Sequence, residues 1–226
     1  MKPLVITIDG PAGSGKTTIS KRLATHLGFR YVDTGALYRG VAFEARALGI
    51  SAEDDSGLEK LCGVLDIKLI LNEKGLRLIS KGVDISDYIR TPEISMLASA
   101  VSARPIVRKY LLGLQREIGS SGNVVFEGRD MGTVVFPQAD IKFFLDASPE
   151  IRARRRYLEI NSKTTQTLEE VRADMMRRDK NDSQRAIAPL KPAEDAIRID
   201  TSPLTIDEVL EHMLSAINSR FGTQIH

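Results

Sequence analysis

The stretch "GPAGSGKT", Gly10 to Thr17, constrains this chain more than any other eight residues. Glycines at 10, 13 and 15 open backbone conformations closed to other residues, so the segment can curl with its N–H groups pointing inward. A glycine, four residues, then Gly-Lys-Thr is the Walker A pattern. The apolar run "LVITID" (4–9) before it reads as a buried strand, and "KTTISKRLATHLG" after it reads as a helix. In that context Gly10, Pro11, Ala12, Gly13, Ser14, Gly15, Lys16, Thr17 and Thr18 are expected to cradle the phosphates of a nucleoside triphosphate, with the positive end of the helix behind them. Lys16 would reach the β- and γ-phosphates, and the Thr17 hydroxyl would approach a Mg²⁺ ion carried by the nucleotide.

Four more apolar runs read as strands: "FRYVD" (29–33), "NVVFE" (123–127), "IKFFLD" (141–146) and "AIRID" (196–200). Helical segments lie between them, and this alternation predicts an α/β fold with a mainly parallel sheet. Helix starts are marked. Thr91-Pro92-Glu93 and Ser148-Pro149-Glu150 pair an N-cap residue with proline at the first helical position. Thr167 with Glu170, and Thr205 with Glu208, fit capping boxes, and Pro105 opens a further helix. Residues 65–86 instead alternate apolar and polar, with turn signals at Asn72–Gly75 and Lys81-Gly82. They predict a small antiparallel sheet of two or three strands, inserted in the larger pattern. The expected fold is thus a P-loop NTPase-type, five-stranded parallel sheet flanked by helices, with a small antiparallel β insert and a helical lid. All 226 residues form one domain in this reading.

Charge narrows the classes of ligand. The formal net charge is only +2, yet residues 151–185 hold ten Lys or Arg against six Asp or Glu. A local basic field of that kind suits a small anionic ligand. A nucleic-acid track is disfavoured, because tryptophan is absent and aromatics make up only 5%, leaving no stacking platform. The single cysteine, Cys62, permits no internal disulfide and reads as a small core residue. The N-terminal apolar run is too short for a signal peptide or membrane span. A cytoplasmic, monomeric protein without membrane contact is expected. No Asn-Lys-x-Asp guanine-reading motif occurs, which argues against a switch GTPase; the short chain and numerous arginines favour a phosphotransferase with an anionic acceptor.

In an open α/β sheet, ligands bind beyond the carboxyl ends of the strands. "DTGALYR" (33–39) follows the second strand and "EGRDMG" (127–132) follows the third. Both strands are expected to flank the first, bringing Thr34, Tyr38, Arg39, Arg129 and Asp130 near the phosphate loop. Arg129 and Asp130 are adjacent in extended chain, so their side chains point oppositely; a salt bridge within the pair is the plain alternative to a ligand with two polar ends. Arg178, Asp182 and Arg185 are spaced to share one helical face, as a ligand-binding set or as solvated ion pairs. In "RARRR" (152–156) not every arginine can face one ligand, because consecutive residues circle the helix axis.

The pieces "ITIDGPAGSGKTT", "DTGALYR", "GRDMGTVVFP", "FFLDAS" and "RDKNDSQRAIAPL", together with the insert, resemble the bacterial cytidylate kinases over nearly the whole chain. The resemblance implies a nucleoside monophosphate kinase that converts ATP and CMP or dCMP to ADP and CDP or dCDP. It implies an acceptor-binding region at 34–102 that includes the insert (63–88), and a lid at 152–168. Thr34, Tyr38, Arg39, Arg129 and Arg185 would hold the acceptor, mainly by its phosphate. Ser99, Arg108 and Asp130 would read cytosine, and Arg178 and Asp182 would contact the ribose. Arg154 and Arg156 would close over the ATP phosphates, and Lys16, Arg129 and Arg185 would carry catalysis. Two departures stand out. Members often have glycine after the loop lysine, where this chain has Thr17 then Thr18, so either hydroxyl could approach Mg²⁺. Thr34 stands where serine is frequent. Rival readings are a kinase of UMP, dTMP or an alcohol, the last with Asp33 as base, and a regulator that binds ATP without transferring phosphate.

Overall fold

The computed structural model describes residues 3–72, 75–160 and 165–222. Its principal sheet has five strands: β1 (Val5–Asp9), β2 (Arg30–Asp33), β6 (Val124–Gly128), β7 (Ile141–Asp146) and β8 (Ile197–Asp200), in the order β2-β6-β1-β7-β8. β1 runs parallel to β6, with Asp9 opposite Gly128, and parallel to β7, with Asp9 opposite Phe144. β8 is parallel to β7.

One expectation is corrected here. β2 does not flank β1; β6 lies between them, and β2 takes the edge. Burial explains the order. Every residue of β6 is buried, as a strand covered on both faces requires, whereas Arg30 is exposed and Tyr31 half-buried. Neighbours in sequence need not be neighbours in a sheet when a crossover leaves a gap that a later strand fills.

Two compact units divide the chain. The first is built from Met1–Tyr31, Ser121–Gln184 and Ala188–His226. Its core joins the sheet (Ile6, Ile8, Val125, Ile141, Phe143, Leu145, Ile199) to α1 (Lys16–Leu27) and α8 (Ile206–Phe221), through Ile19, Leu23, Val209, Met213 and Ile217. A smaller core pairs α6 (Pro149–Ile160) with α7 (Leu168–Gln184), using Ala153, Ile160, Val171 and Met175.

The second unit comprises Val32–Ser120 and Arg185–Ile187. It contains α2 (Thr34–Ala47), α3 (Asp55–Val64), α4 (Pro92–Val101) and α5 (Pro105–Gly119). A three-stranded antiparallel sheet joins them: β3 (Ile67–Asn72), β4 (Gly75–Ser80) and β5 (Val83–Asp84). Leu37, Val41, Leu58, Ile94, Val107 and Leu111 lie at its centre, with Ile67 and Leu78 contributed by the small sheet. Cys62 is buried among them, and burial raises its thiol pKa, in keeping with a packing role. The expected turn at Asn72–Gly75 includes residues 73–74, and the expected lid includes 161–164; both stretches lie outside the described residues.

Candidate active site

β1 ends at Asp9, and the chain turns sharply into the phosphate loop. Gly10 has φ +146°, and a Cβ there would collide with the carbonyl oxygen of Leu145 on β7, so no other residue fits. Gly15, with φ +87°, occupies the N-cap position of α1. The Ser14 hydroxyl donates to the Pro11 carbonyl at 3.0 Å and closes the loop on itself. Lys16 is buried, and its Nζ donates to the same carbonyl at 2.5 Å.

Burial lowers the Lys16 pKa from its ordinary 10.5 to about 7. Arg129 and Arg178 push in the same direction, while Glu127 and Asp9 oppose them. Three cations are therefore gathered near the loop closely enough to resist one another.

The next strand supplies a carboxylate. Glu127, at the end of β6, accepts from the Thr17 hydroxyl at 2.7 Å and from the Tyr31 hydroxyl at 2.5 Å. An oxygen pair at the first turn of α1 suits a hard divalent cation, which typically takes one or two protein oxygens together with phosphate oxygens. Among the described residues no group of three or more His, Cys, Asp or Glu forms a cage for a metal.

Beyond Glu127, Arg129 donates through Nε to Asp182 of α7 at 3.2 Å and through one terminal nitrogen to the Gly128 carbonyl at 3.3 Å. Arg178 lies 3.8 Å from the same Asp182 oxygen. Asp182 is thus flanked by two guanidinium groups. Asp130 is buried at the N-cap position of a π-helical turn (Met131–Val135) and makes no side-chain cap hydrogen bond there.

The arginine cluster resolves into separate tasks. Arg152 is buried and donates to the carbonyls of Ala147 (2.9 Å) and Ala12 (3.1 Å), and pairs with Asp179 at 2.5 Å. Arg155 grips Thr201, whose hydroxyl also donates to the Ser14 carbonyl at 3.1 Å. Arg154 is exposed, and Arg156 pairs with Glu159 at 2.9 Å.

The second unit holds its own constellation. Asp33 caps α2, accepting from the Ala36 amide at 3.1 Å, and pairs with Arg39 at 2.8 Å. Burial alone would raise its pKa; Arg39, Arg90 and the Ala36 amide outweigh that and hold the carboxyl below its ordinary value. The buried Nε of Arg39 has no hydrogen-bond partner among the described residues, so the guanidinium retains a donor for an incoming oxygen. Thr34 is the buried first residue of α2. Arg108 lies 5.7 Å from the centre of the Tyr38 ring and donates to the Ser102 carbonyl at 3.2 Å. The Ser102 hydroxyl donates to the carbonyl of buried Ser99 at 2.7 Å and accepts from Arg185 at 3.1 Å.

A family model described as Cytidylate kinase matches residues 6–219. Curated cytidylate kinases are correspondingly similar. That of Geobacter sp. (strain M21) is 50% identical over 220 residues, covering 97% of this chain and 94% of its own. That of Geobacter sulfurreducens is 50% identical over 218 residues, covering 96% and 94%. The chain belongs to the cytidylate kinase family. It is therefore a nucleoside monophosphate kinase by family. A shikimate kinase structure from Acinetobacter baumannii, 18% identical, aligns with a TM-score of 0.50 over 97% of this chain and 96% of its own, a likeness of fold alone.

Within this chain, Lys16, Thr17, Arg129, Asp130, Arg178 and Asp182 fall in the first unit, and Thr34, Tyr38, Arg39, Ser99, Arg108 and Arg185 in the second. One spacing argument fails. α7 ends at Gln184, so Arg185 lies past the helix and does not share a helical face with Arg178 and Asp182. Four residues escaped the sequence reading as members of the site: Asp9, Glu127, Arg152 and Ser102. Glu127 had a signal, an acid ending a fully apolar strand. Arg152 was marked only as one of the "RARRR" cluster, because its burial depends on where α6 meets the loop.

Proposed function

We propose that the protein transfers the γ-phosphate of ATP to CMP or dCMP, giving ADP and CDP or dCDP. The observation that carries the reading is the buried Lys16 of the phosphate loop, with Arg129 and Arg178 gathered on Asp182 near it; burial first, and then the two arginines, depress the lysine pKa. A buried lysine with two part-buried arginines beside it is accounted for by a polyanionic ligand, here a triphosphate and an acceptor phosphate.

The acceptor oxygen of CMP is already anionic near neutral pH, so no general base is needed, and catalysis is positioning and charge stabilisation. Lys16, Arg129 and Arg185 would stabilise the transferring group, each contributing a few kcal/mol, roughly 3–4 for a well-aimed donor. Thr34, Tyr38 and Arg39 would hold the acceptor by its phosphate, with the unpartnered Arg39 Nε among the donors. Asp130 would accept from the cytosine amine, while Ser99 and Arg108 serve its acceptor atoms; uracil reverses part of that pattern. Arg178 and Asp182 would meet the ribose. Thr17, with its hydroxyl fixed by Glu127, would hold nucleotide-borne Mg²⁺, which supplies charge neutralisation between the β- and γ-phosphates. Residues 34–102, with the insert at 63–88, would form the acceptor region. Residues 152–168, with Arg154 and Arg156, would form a lid that keeps water from the γ-phosphate. A cytoplasmic monomer fits this chemistry, and no helix among the described residues is long and apolar enough to cross a membrane.

A coupled ADP-release assay across CMP, dCMP, UMP, AMP and dTMP tests the reading. CMP and dCMP should be the preferred acceptors. Equal rates with UMP and CMP would contradict base reading by Asp130, and ATP binding without transfer to CMP would overturn the enzyme assignment.

A further inference from the structure

The π-helical turn Met131–Val135 follows directly on Arg129 and Asp130. A helical turn begins with N–H groups that have no partner within it. Aspartate at the N-cap position ordinarily supplies one from its own side chain. Asp130 does not. The carboxylate of Asp9 does so instead: one oxygen accepts from the Met131 amide at 2.9 Å and the other from the Gly132 amide at 2.8 Å. The parallel register makes this reach possible, since Asp9 lies opposite Gly128, three residues before Met131.

Gly132 is held tightly as well. A Cβ there would come within 3.0 Å of the Thr7 hydroxyl and 3.1 Å of the Lys142 side chain. The turn is thus pressed onto β1 and β7 while Asp9 grips its first two amides. Asp9 is buried, and burial raises its carboxyl pKa from 3.8 to about 7 even with two amide donors. Asp130 raises it further, and Lys16 lowers it. A plain packing role would be served by an apolar residue at lower cost.

We propose that Asp9 is a positioning residue for the acceptor side of the site: it caps the turn in place of Asp130, fixing the backbone that carries Arg129 and Asp130. This rests on the reading of Asp130 as the group that meets cytosine. Asp9 also leads into the phosphate loop, yet its two hydrogen bonds are made to the turn, so the effect of losing one falls on the acceptor.

The test is Asp9→Asn, which keeps one acceptor oxygen and turns an NH₂ group toward the other amide. Steady-state kinetics with CMP, UMP and ATP are measured for wild type, D9N, D130N and the double variant. In D9N the KM for CMP should rise about tenfold and the preference for CMP over UMP fall by a similar factor, with the KM for ATP within about twofold. D130N should cost less selectivity in the D9N background than in wild type, because the two act through one turn. A folded D9N with unchanged CMP KM and selectivity would overturn the proposal, as would independent, multiplying effects of D9N and D130N. If D9N does not fold, Asp9→Ser, which retains one hydroxyl acceptor, carries the same comparison. Loss of folding in both would assign the carboxylate to the core and overturn the positioning role. A wild-type enzyme that does not discriminate CMP from UMP would instead remove the base-reading role of Asp130, a separate and recognisable result.

Discussion

Lys16 shows how function and stability oppose each other at one side chain. Its cation is held in a buried place beside Arg129 and Arg178, and its pKa falls to about 7. The folded value lies below the unfolded 10.5, so between about pH 7 and 10.5 the unfolded chain binds more protons, and this group's penalty shrinks as pH rises. Below about pH 7 the penalty is complete. Lys16→Met should therefore abolish most turnover, about 10²–10³-fold or more for a lost charge-stabilising donor, and yet raise the melting temperature of the nucleotide-free protein. The gain should be largest at or below pH 7 and diminish toward pH 10. Thermal melts of both proteins from pH 6 to 10 check it; a variant less stable than wild type at pH 7 would contradict the depressed lysine. At this scale the sequence was informative about identity and poor about partners. The loop pattern named Lys16 and Thr17, but that Glu127 receives the Thr17 hydroxyl depends on β6 lying beside β1, which no local pattern encodes.

Elements were legible where local chemistry decides them. Thr91 caps α4 ahead of Pro92, accepting from the Ile94 amide at 3.2 Å. Thr205 and Glu208 form the reciprocal capping box of α8, and Thr167 with Glu170 makes the equivalent contacts before α7 at 2.7 to 3.3 Å. The five strands ended within a residue or so of their apolar runs, and in β1, β6 and β7 burial selects those residues. The π-helical turn was not legible, since its first amides are satisfied by Asp9, over 120 positions away in the chain. Nor was the order of β2 and β6, which only the finished sheet determines. The capping box is a clean test of the local part. Thr205→Ala removes contacts on the exposed start of α8, remote in sequence from the loop residues. It should cost about 1 kcal/mol and lower the melting temperature by about 2–4 °C for a protein of this size. Its KM values should match those of wild type. A changed acceptor preference would show that α8 does more than support the sheet.

For the whole molecule, acceptor recognition should be readable as stability. Each unit holds its own polar constellation: Lys16, Arg129 and Asp182 in one, Arg39, Arg108 and Arg185 in the other. A ligand that binds the folded protein stabilises it by mass action, about 2.7 kcal/mol at a hundred times its dissociation constant. That corresponds to a rise in melting temperature of about 5–11 °C for a chain of this length. CMP at that level should produce it. UMP presents a donor at N3 and an acceptor at C4 where cytosine presents the reverse, and one mispaired buried group costs about 1–3 kcal/mol. Its affinity falls about tenfold or more for such a loss, so at the same concentration it should give no more than about half the shift. Asp130→Asn should narrow the gap between the two nucleotides, because an amide can donate to the uracil oxygen as well as accept from the cytosine amine. Equal shifts for CMP and UMP in the wild-type protein, or an undiminished gap in the variant, would locate base discrimination away from the turn after β6.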